Sequence, residues 1–134
     1  MRGAAAFTPP MRLRRGADFR RVLEKGVRVP GRLFVLVGAE NALGHDRLGL
    51  TVSRKVGPAV RRNRARRLVR ESFRRRGASP GRGLGLDVVV LAARELGECR
   101  QGEVDRELTD RLRRLERRIE QRGRQGSRDP HRGL

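Results

Sequence analysis

Residues 51–76 constrain the fold most, because this segment is strongly basic and yet has the periodicity of a helix. It holds eleven basic residues and one acid, Glu71. Pro58 suits the first turn of a helix, where its missing N–H is not needed, and Gly77 suits the end of one. At about 100° per residue, one face can pack on a core; its residues are Ala65, Leu68, Val69, Ser72 and Phe73. The pattern therefore predicts a docked helix over residues 58–76 and not a disordered basic segment.

The opposite face of this predicted helix holds its cations in a fixed array. It consists of Asn63, Arg64, Arg66, Arg67, Arg70 and Arg74, with Arg62 nearer the apolar edge. We expect Glu71 to pair with Arg67 and Arg74, which lie one turn away on either side. The other guanidinium groups repel each other unless a polyanion lies across them, and each can hold a phosphate through two donors. The face therefore predicts nucleic-acid binding; the competing interpretation is a solvated face that is rich in arginine through codon usage.

The charge of the whole chain supports a polyanionic partner. Among 134 residues, 34 are Lys or Arg and 15 are Asp or Glu, which gives a formal net charge of +19. Such a charge opposes compaction unless anions neutralise it. Codon usage explains a preference for Arg over Lys, but it does not explain the excess of bases over acids. The length predicts a flexible N-terminal extension at 1–11, a single domain at 12–121 and a basic disordered tail at 122–134.

Outside the basic segment, the hydrophobic pattern predicts two more helices. The first begins near Asp18 and places Phe19, Val22 and Leu23 on one face. The second spans residues 103–121, where acids fill the first half and arginines the second, as the helix dipole favours. Its apolar positions recur at helical spacing: Val104, Leu108, Leu112, Leu115 and Ile119.

The remaining pattern predicts three strands. Residues 33–37 and 47–53 flank a loop and are typical of a hairpin, whereas residues 86–92 are mostly apolar, as in a strand that is buried on both faces. The order α-β-β-α-β-α predicts an α+β fold with a small sheet. The strand, helix and strand between residues 47 and 92 could form a crossover unit, and general statistics favour a right-handed one.

The two faces of the strand at 47–53 differ in character. One face belongs in a core and carries Leu48, Leu50 and Val52. The other carries Gly49, Thr51 and Ser53, which leave room for something to lie close to the backbone. Strand pairing would bring either Val35 and Val37 or Phe34 and Leu36 to this open face. We expect the larger Phe34 to join Leu48 and Leu50 in the core.

The sequence offers no set of residues for catalysis or metal binding by the polypeptide itself. His45 and His131 lack the spacing of metal ligands, Glu71 lies among arginines, and Asp87 lies within an apolar run. Cys99 is the single cysteine and cannot form an internal disulfide, which fits a reducing cytoplasm. No apolar run is long enough to span a membrane. We therefore predict a cytoplasmic protein with no catalytic residue, no metal ligand, and no membrane or small-molecule partner.

In the basic segment, the chain resembles the bacterial ribonuclease P protein subunit. The resemblance rests on Thr-Val-Ser-Arg-Lys-Val-Gly at residues 51–57 and on the groups that follow, which are Ala59-Val60, Arg62-Asn63-Arg64, Arg66-Arg67 and Arg70-Glu71. It implies an αβββαβα-like two-layer sandwich with a mostly antiparallel sheet. It also implies one further short strand and a rare left-handed β-α-β crossover.

The resemblance further implies a function for residues 12–121 as an RNA-binding domain. Ribonuclease P is an endoribonuclease that removes the 5′ leader of precursor tRNA, and its protein subunit is a non-catalytic component that binds the catalytic RNA and the leader. The Mg²⁺ ions are held mainly by the RNA subunit and the substrate. The residues implied to bind the RNA subunit are Arg62, Asn63, Arg64, Arg66, Arg67, Arg70 and Arg74. The residues implied to bind the leader are Phe19, Val37, Thr51, Arg54 and Lys55.

The chain departs from family members that carry aromatic residues at the positions of Leu23 and Val37. It has no Tyr or Trp, so stacking on leader bases depends on Phe19, which could equally be an ordinary core residue of a short helix. Three other interpretations remain: a general basic RNA-binding protein such as a ribosomal protein or RNA chaperone, a protein-only nuclease, and a DNA-binding helix. The first explains the charge but not the ordered motif beside an open strand face.

Overall fold

Seven helices and strands follow the order that the resemblance implies. The computed structural model describes residues 11–14, 16–76 and 85–128. The elements in chain order are α1 (Gly16–Lys25), β1 (Val27–Val29), β2 (Phe34–Glu40), β3 (Arg47–Thr51), α2 (Ala59–Arg76), β4 (Leu86–Ala92) and α3 (Gln101–Arg128). Short 3-10 turns at Arg54–Val56 and Arg94–Gly97 precede α2 and α3. The α+β class and the αβββαβα order are therefore confirmed, including the further short strand β1.

The sheet places the apolar strand β4 in its interior. The strand order is β1-β2-β4-β3; β2 pairs antiparallel with both β1 and β4, and β3 pairs parallel with β4. The predicted hairpin between residues 33–37 and 47–53 is wrong, because β4 lies between these two strands. The reason is physical: Leu86 to Val90 are all buried, and an interior position buries both faces of a strand and pairs both of its edges. The handedness of the crossover through α2 stays a prediction.

Alternation along the strands gives the sheet two apolar faces. One face packs under α2 and α3 and forms the main core, with Phe34, Leu36, Leu48, Val88 and Val90. The other packs under α1 and forms a smaller cluster, in which Val37 and Val89 join Leu13 and Val22. Phe34 therefore lies in the core with Leu48, with Leu50 packed against it, as predicted.

Helix α3 covers the main core and reaches the edge strand β1. Its predicted apolar positions from Val104 to Leu115 are buried, and the Glu107 carboxylate accepts hydrogen bonds from the backbone N–H groups of Leu33 at 2.7 Å and Phe34 at 3.3 Å. The helix continues to Arg128, so the disordered tail that was predicted from residue 122 is corrected for residues 122–128. Most of the predicted N-terminal extension (1–10), the helix stop at Gly77 and residues 129–134 lie outside the described part of the chain.

A buried carboxylate fastens one end of the sheet. Asp87 is fully buried, and its two oxygens accept from Nε and Nη2 of Arg47, each at 2.7 Å, from the Asn41 amide at 2.8 Å, and from Arg21 of α1. Burial acts to raise the pKa of Asp87, but the hydrogen bonds from Arg47 and Asn41 and the charges of Arg47 and Arg21 lower it below its ordinary value. This acid within an apolar strand therefore joins α1, β3 and β4 into one unit.

The substitution Asp87→Asn should destabilise the protein by about 3 kcal/mol, because it removes the charge that compensates two arginines. This value is at the lower end of the usual range for breaking a buried ion pair, because the side chains of Arg21 and Arg47 are 36% and 19% exposed and keep some hydration. Urea unfolding measures the change. The control Glu24→Gln makes the same chemical change at an exposed position and should shift stability by less than about 0.5 kcal/mol.

Acidification provides a second readout of the same interaction. The pKa of Asp87 is lower in the folded state than in the unfolded one. The contribution of its charge to the free energy of unfolding is therefore complete above about pH 4 and is lost as the pH falls through the folded-state pKa. The stability difference between the wild type and Asp87→Asn should therefore narrow at low pH. A difference that stayed constant from pH 7 to the acid transition would contradict the assigned ion pair.

Candidate nucleic-acid interface

Helix α2 is held on the sheet by the apolar face that its sequence predicts. All five residues of that face are buried: Ala65, Leu68, Val69, Ser72 and Phe73. A polar contact fixes the rotation of the helix as well, because Nε2 of Gln101 on α3 donates to the Leu68 carbonyl at 2.9 Å and to Oγ of Ser72 at 2.8 Å. Ser72 in turn donates to Asp105 of α3. This docking directs the other side of α2 outward.

The outward side is the α2 cation face, which consists of Arg62, Asn63, Arg64, Arg66, Arg67, Arg70 and Arg74. Asn63 and Arg67 are exposed, and the five other residues are half-buried. Nη1 of Arg66 donates to the Asn63 side-chain oxygen at 3.0 Å, and Nη1 of Arg64 donates to the Gly97 carbonyl at 3.1 Å. Nε of Arg62 is buried and has no hydrogen-bond partner within the protein. The two hydrogen bonds hold the guanidinium groups of Arg64 and Arg66 in place before any ligand arrives.

The single acid of the helix neutralises only its C-terminal end. Glu71 pairs with Arg74 and Arg75, so the predicted pair with Arg67 is wrong while that with Arg74 is confirmed. The hydrogen bond from Arg74 lowers the pKa of Glu71, and Arg75 adds to the effect against an opposing effect of desolvation. Arg75 also reaches Asp105 of α3 at 3.0 Å. At the other end of α2, Arg61 in the first turn pairs with Glu98. The positive charge that α2 offers to an anion is therefore concentrated toward its middle turns.

Arg70 lies near two other arginines, Arg12 and Arg66, whose charges act on it. Its partial burial lowers the pKa of its guanidinium, and the charges of Arg12 and Arg66 lower it further. The group still carries its charge at neutral pH, because arginine starts from a very high pKa. An anion placed between these guanidiniums would relieve their mutual repulsion. This spot is therefore a candidate position for a phosphate on the α2 cation face.

On the opposite face of the sheet, α1 covers one row of cross-strand neighbours. The row is Val37, Val89 and Gly49. The Phe19 ring lies directly on Gly49, since a Cβ atom at that position would be 2.5 Å from Cζ of Phe19. The room that Gly49 leaves is therefore filled by the protein itself. Val37 has no exposed surface. Its implied contact with a leader is therefore corrected, because its side chain lies beneath α1 and supports the sheet from within.

The next row is less deeply buried and forms what we call the open strip, which consists of Val35, Leu91 and Thr51. These residues are direct cross-strand neighbours, so the strip is about 10 Å wide at the usual strand spacing. Val35 and Leu91 are half-buried and Thr51 is exposed. The strip ends at the turn that carries Arg54 and Lys55, both exposed. An apolar strip with cations at one end is suited to a single strand of nucleic acid.

Phe19 and Thr51 thus lie on one side of the sheet and the α2 cation face on the other, while Arg54 and Lys55 lie in the exposed turn that connects β3 to α2. Sequence reasoning missed Val35, Leu91 and Arg12. For Val35 a signal existed, because the alternation allowed Val35 and Val37 on the open face. Leu91 was hidden in an apolar run without alternation, and Arg12 lay at the edge of a segment that was predicted to be flexible.

Within residues 11–14, 16–76 and 85–128, no group of three or more His, Cys, Asp or Glu side chains is placed to hold a metal ion. In that same part of the chain, no helix combines the length and the apolar composition that crossing a bilayer requires.

Comparison with known proteins identifies the family. The sequence model of the family described as Ribonuclease P matches residues 7–116. The chain is 40% identical over 94 residues to the "Ribonuclease P protein component" of Thermotoga maritima, covering 69% of this chain and 78% of that protein. It is 38% identical over 111 residues to the protein of the same description from Pseudomonas aeruginosa, covering 81% of this chain and 80% of the relative.

Solved structures agree with the sequence comparisons. The RNase P protein of Staphylococcus aureus superposes with a TM-score of 0.67 at 33% identity, covering 77% of this chain and 93% of that one. The RNase P protein of T. maritima gives a TM-score of 0.63 at 34% identity, covering 79% of this chain and 96% of that one. With its fold, its α2 cation face and these similarities taken together, the chain belongs to the ribonuclease P protein family.

Proposed function

We propose that this chain is the protein component of ribonuclease P, which binds the catalytic RNA subunit through the α2 cation face and the 5′ leader of precursor tRNA along the open strip. Membership of the family associates the chain with ribonuclease P and with an RNA partner. One observation carries the finer proposal: the sheet holds a rigid cation face and an open strip on opposite sides, and the short turn Arg54–Val56 connects β3 to α2. A protein built in this way can contact two RNAs at once.

The α2 cation face suits a folded RNA because a docked helix presents its guanidiniums from a fixed backbone. Each can bind a phosphate through two parallel N–H donors, and Asn63 can bond a base edge or a 2′-hydroxyl. Two RNAs that approach each other repel through their phosphates, and a protein of net charge +19 placed between them reduces that repulsion. We propose that the Mg²⁺ ions are held mainly by the RNA partner and the substrate and that the RNA carries the cleavage chemistry, as the family resemblance implies.

The open strip suits an unpaired leader because it offers apolar contact without a base-specific pattern. Unstacked bases can lie on Leu91 and Val35, and the Phe19 ring beside the strip can stack on one of them. Arg54 and Lys55 lie at the end of the strip, where they can bind leader phosphates. Recognition of this kind tolerates many leader sequences.

Substitution of Arg66 by Ala should weaken binding of the RNA subunit by about tenfold, because one charge-assisted phosphate contact is lost. The slope of log affinity against log salt concentration should fall by about one unit. Filter binding at several salt concentrations measures both quantities. The control Arg113→Ala removes the same charge from an exposed position on α3 and should leave the affinity nearly unchanged. Equal losses for the two variants would indicate general charge attraction, as in an RNA chaperone.

Substitution of Phe19 by Leu or of Thr51 by Ala should weaken binding of precursor tRNA with a leader and leave mature tRNA binding nearly unchanged. Phe19→Leu keeps apolar packing on the sheet but removes a stacking surface, which is worth about 1–3 kcal/mol per base. Affinities of the holoenzyme for the two substrates provide the measurement. Thr109→Ala changes an exposed threonine of α3 and serves as the control. A loss shared equally by the two substrates would show that the open strip is not the leader site.

A processing assay tests the proposal as a whole. Adding the protein to the cognate ribozyme RNA at low Mg²⁺ should increase cleavage of precursor tRNA, because the added positive charge replaces part of the screening that Mg²⁺ provides. An unchanged rate would contradict the proposed function. Cleavage by the purified polypeptide without RNA would instead support a protein-only nuclease, and equally strong binding of duplex DNA would support a DNA-binding helix.

A further inference from the structure

Arg12 and Leu13, which precede α1 by a few residues, lie along the outer edge of β3. We call this pair of residues the strap. The backbone N–H of Leu13 donates to the Leu48 carbonyl at 2.9 Å, and Arg12 pairs with Leu48 in an isolated parallel bridge. The strap therefore adds a short stretch of pairing to an edge strand. The pairing also fixes the direction of each side chain.

The strap sends one side chain to each side of the sheet. Paired residues of neighbouring strands point to the same side, so Arg12 points with Leu48 toward the side that α2 covers. Successive residues point to opposite sides, so Leu13 points toward the side of α1. Leu13 is only 4% exposed and packs with Val22 of α1 and with Val37. One residue of the strap thus lies on each side of the sheet: Arg12 on the side of α2 and Leu13 in the buried cluster under α1.

The charge of Arg12 acts on the α2 cation face. Arg12 is exposed. Partial burial lowers the pKa of Arg70, and the positive charges of Arg12 and Arg66 lower it further. Three guanidiniums from two separate segments therefore act on one region of space. A phosphate bound there would attract all three, and it would hold the strap to α2 through Arg12.

We propose that Arg12 is a positioning residue, in that an RNA-subunit phosphate held jointly by Arg12, Arg66 and Arg70 anchors the strap and thereby fixes α1 as the wall of the open strip. The inference rests on the proposed function and goes beyond it by linking the two RNA sites. The mechanical path is short, because α1 begins at Gly16, three residues after Leu13. By linkage, RNA-subunit binding and leader binding then strengthen each other by the same factor.

Substitution of Arg12 by Ala tests this link, with Arg14→Ala as the control that removes the same charge from an exposed neighbour. We expect Arg12→Ala to weaken binding of the RNA subunit several-fold and to lower the salt slope by about one unit. The double variant Arg12→Ala/Arg70→Ala should lower the affinity for the RNA subunit by less than the product of the two single fold-losses, because both residues hold one phosphate. Arg14→Ala should lower the affinity and the slope much less.

The positioning role has its own readout. In the holoenzyme, Arg12→Ala should weaken binding of precursor tRNA with a leader but not binding of mature tRNA. In the free protein, leader binding should be the same for Arg12→Ala and the wild type, because no RNA phosphate anchors the strap there. Arg12→Lys keeps the positive charge and should restore most of the lost affinity, which separates this role from a folding defect.

The outcomes distinguish this inference from the proposed function. If Arg66→Ala and Arg70→Ala weaken binding of the RNA subunit while Arg12→Ala matches Arg14→Ala, the inference is wrong and the proposed function stands. If Arg12→Ala weakens RNA-subunit binding but leaves holoenzyme leader affinity intact, the positioning role is overturned. If none of the three arginines matters, the proposed function itself fails. Loss in both assays, with rescue by Arg12→Lys, supports the inference.

Discussion

Burial of β4 between β2 and β3 is the constraint on which the rest of the structure depends. A strand that is apolar on both faces must be covered on both, so helices pack on each side of the sheet: α1 on one, α2 and α3 on the other. The two candidate binding surfaces consequently lie on opposite sides of one thin layer. Short connections link them, namely the turn Arg54–Val56 after β3 and the strap before α1.

The acids of the chain determine where its positive charge remains available. Asp87 compensates Arg21 and Arg47 in the interior, Glu71 and Asp105 hold Arg74 and Arg75, and Glu107 binds backbone N–H groups. These pairings fix helices to the sheet and neutralise arginines that serve the fold. In the middle of α2, by contrast, the hydrogen bond of Arg66 goes to the neutral Asn63. The pKa of Arg70 is lowered by partial burial and further by the charges of Arg12 and Arg66. Placement of the few acids, as much as the many arginines, thus confines the candidate phosphate site to one region.

Sequence patterns predicted what depends on local periodicity and missed what depends on pairing between distant segments. The buried face of α2 and the core positions of α3 followed from helical spacing, and Phe34 was placed correctly from alternation in β2. The hairpin prediction failed because adjacency of β2 and β3 along the chain says nothing about a strand inserted later. Val37 could not be recognised as covered, since α1 reaches it only through tertiary packing. Arg12 was missed for a similar reason: its position near Arg70 arises from a single bridge to Leu48.

The occupied edges of the sheet have a consequence for the behaviour of the protein at high concentration. An exposed strand edge can pair with the same edge of another copy, which is a common route to aggregation. Here the edge strand β1 has only three residues, and Arg118 of α3 donates to the Arg28 carbonyl within it at 2.7 Å. At the opposite edge of the sheet, the backbone N–H of Leu13 donates to the Leu48 carbonyl of β3. Both borders are thus partly capped by the chain itself, which disfavours strand addition between copies even when bound RNA removes the charge repulsion that otherwise keeps them apart.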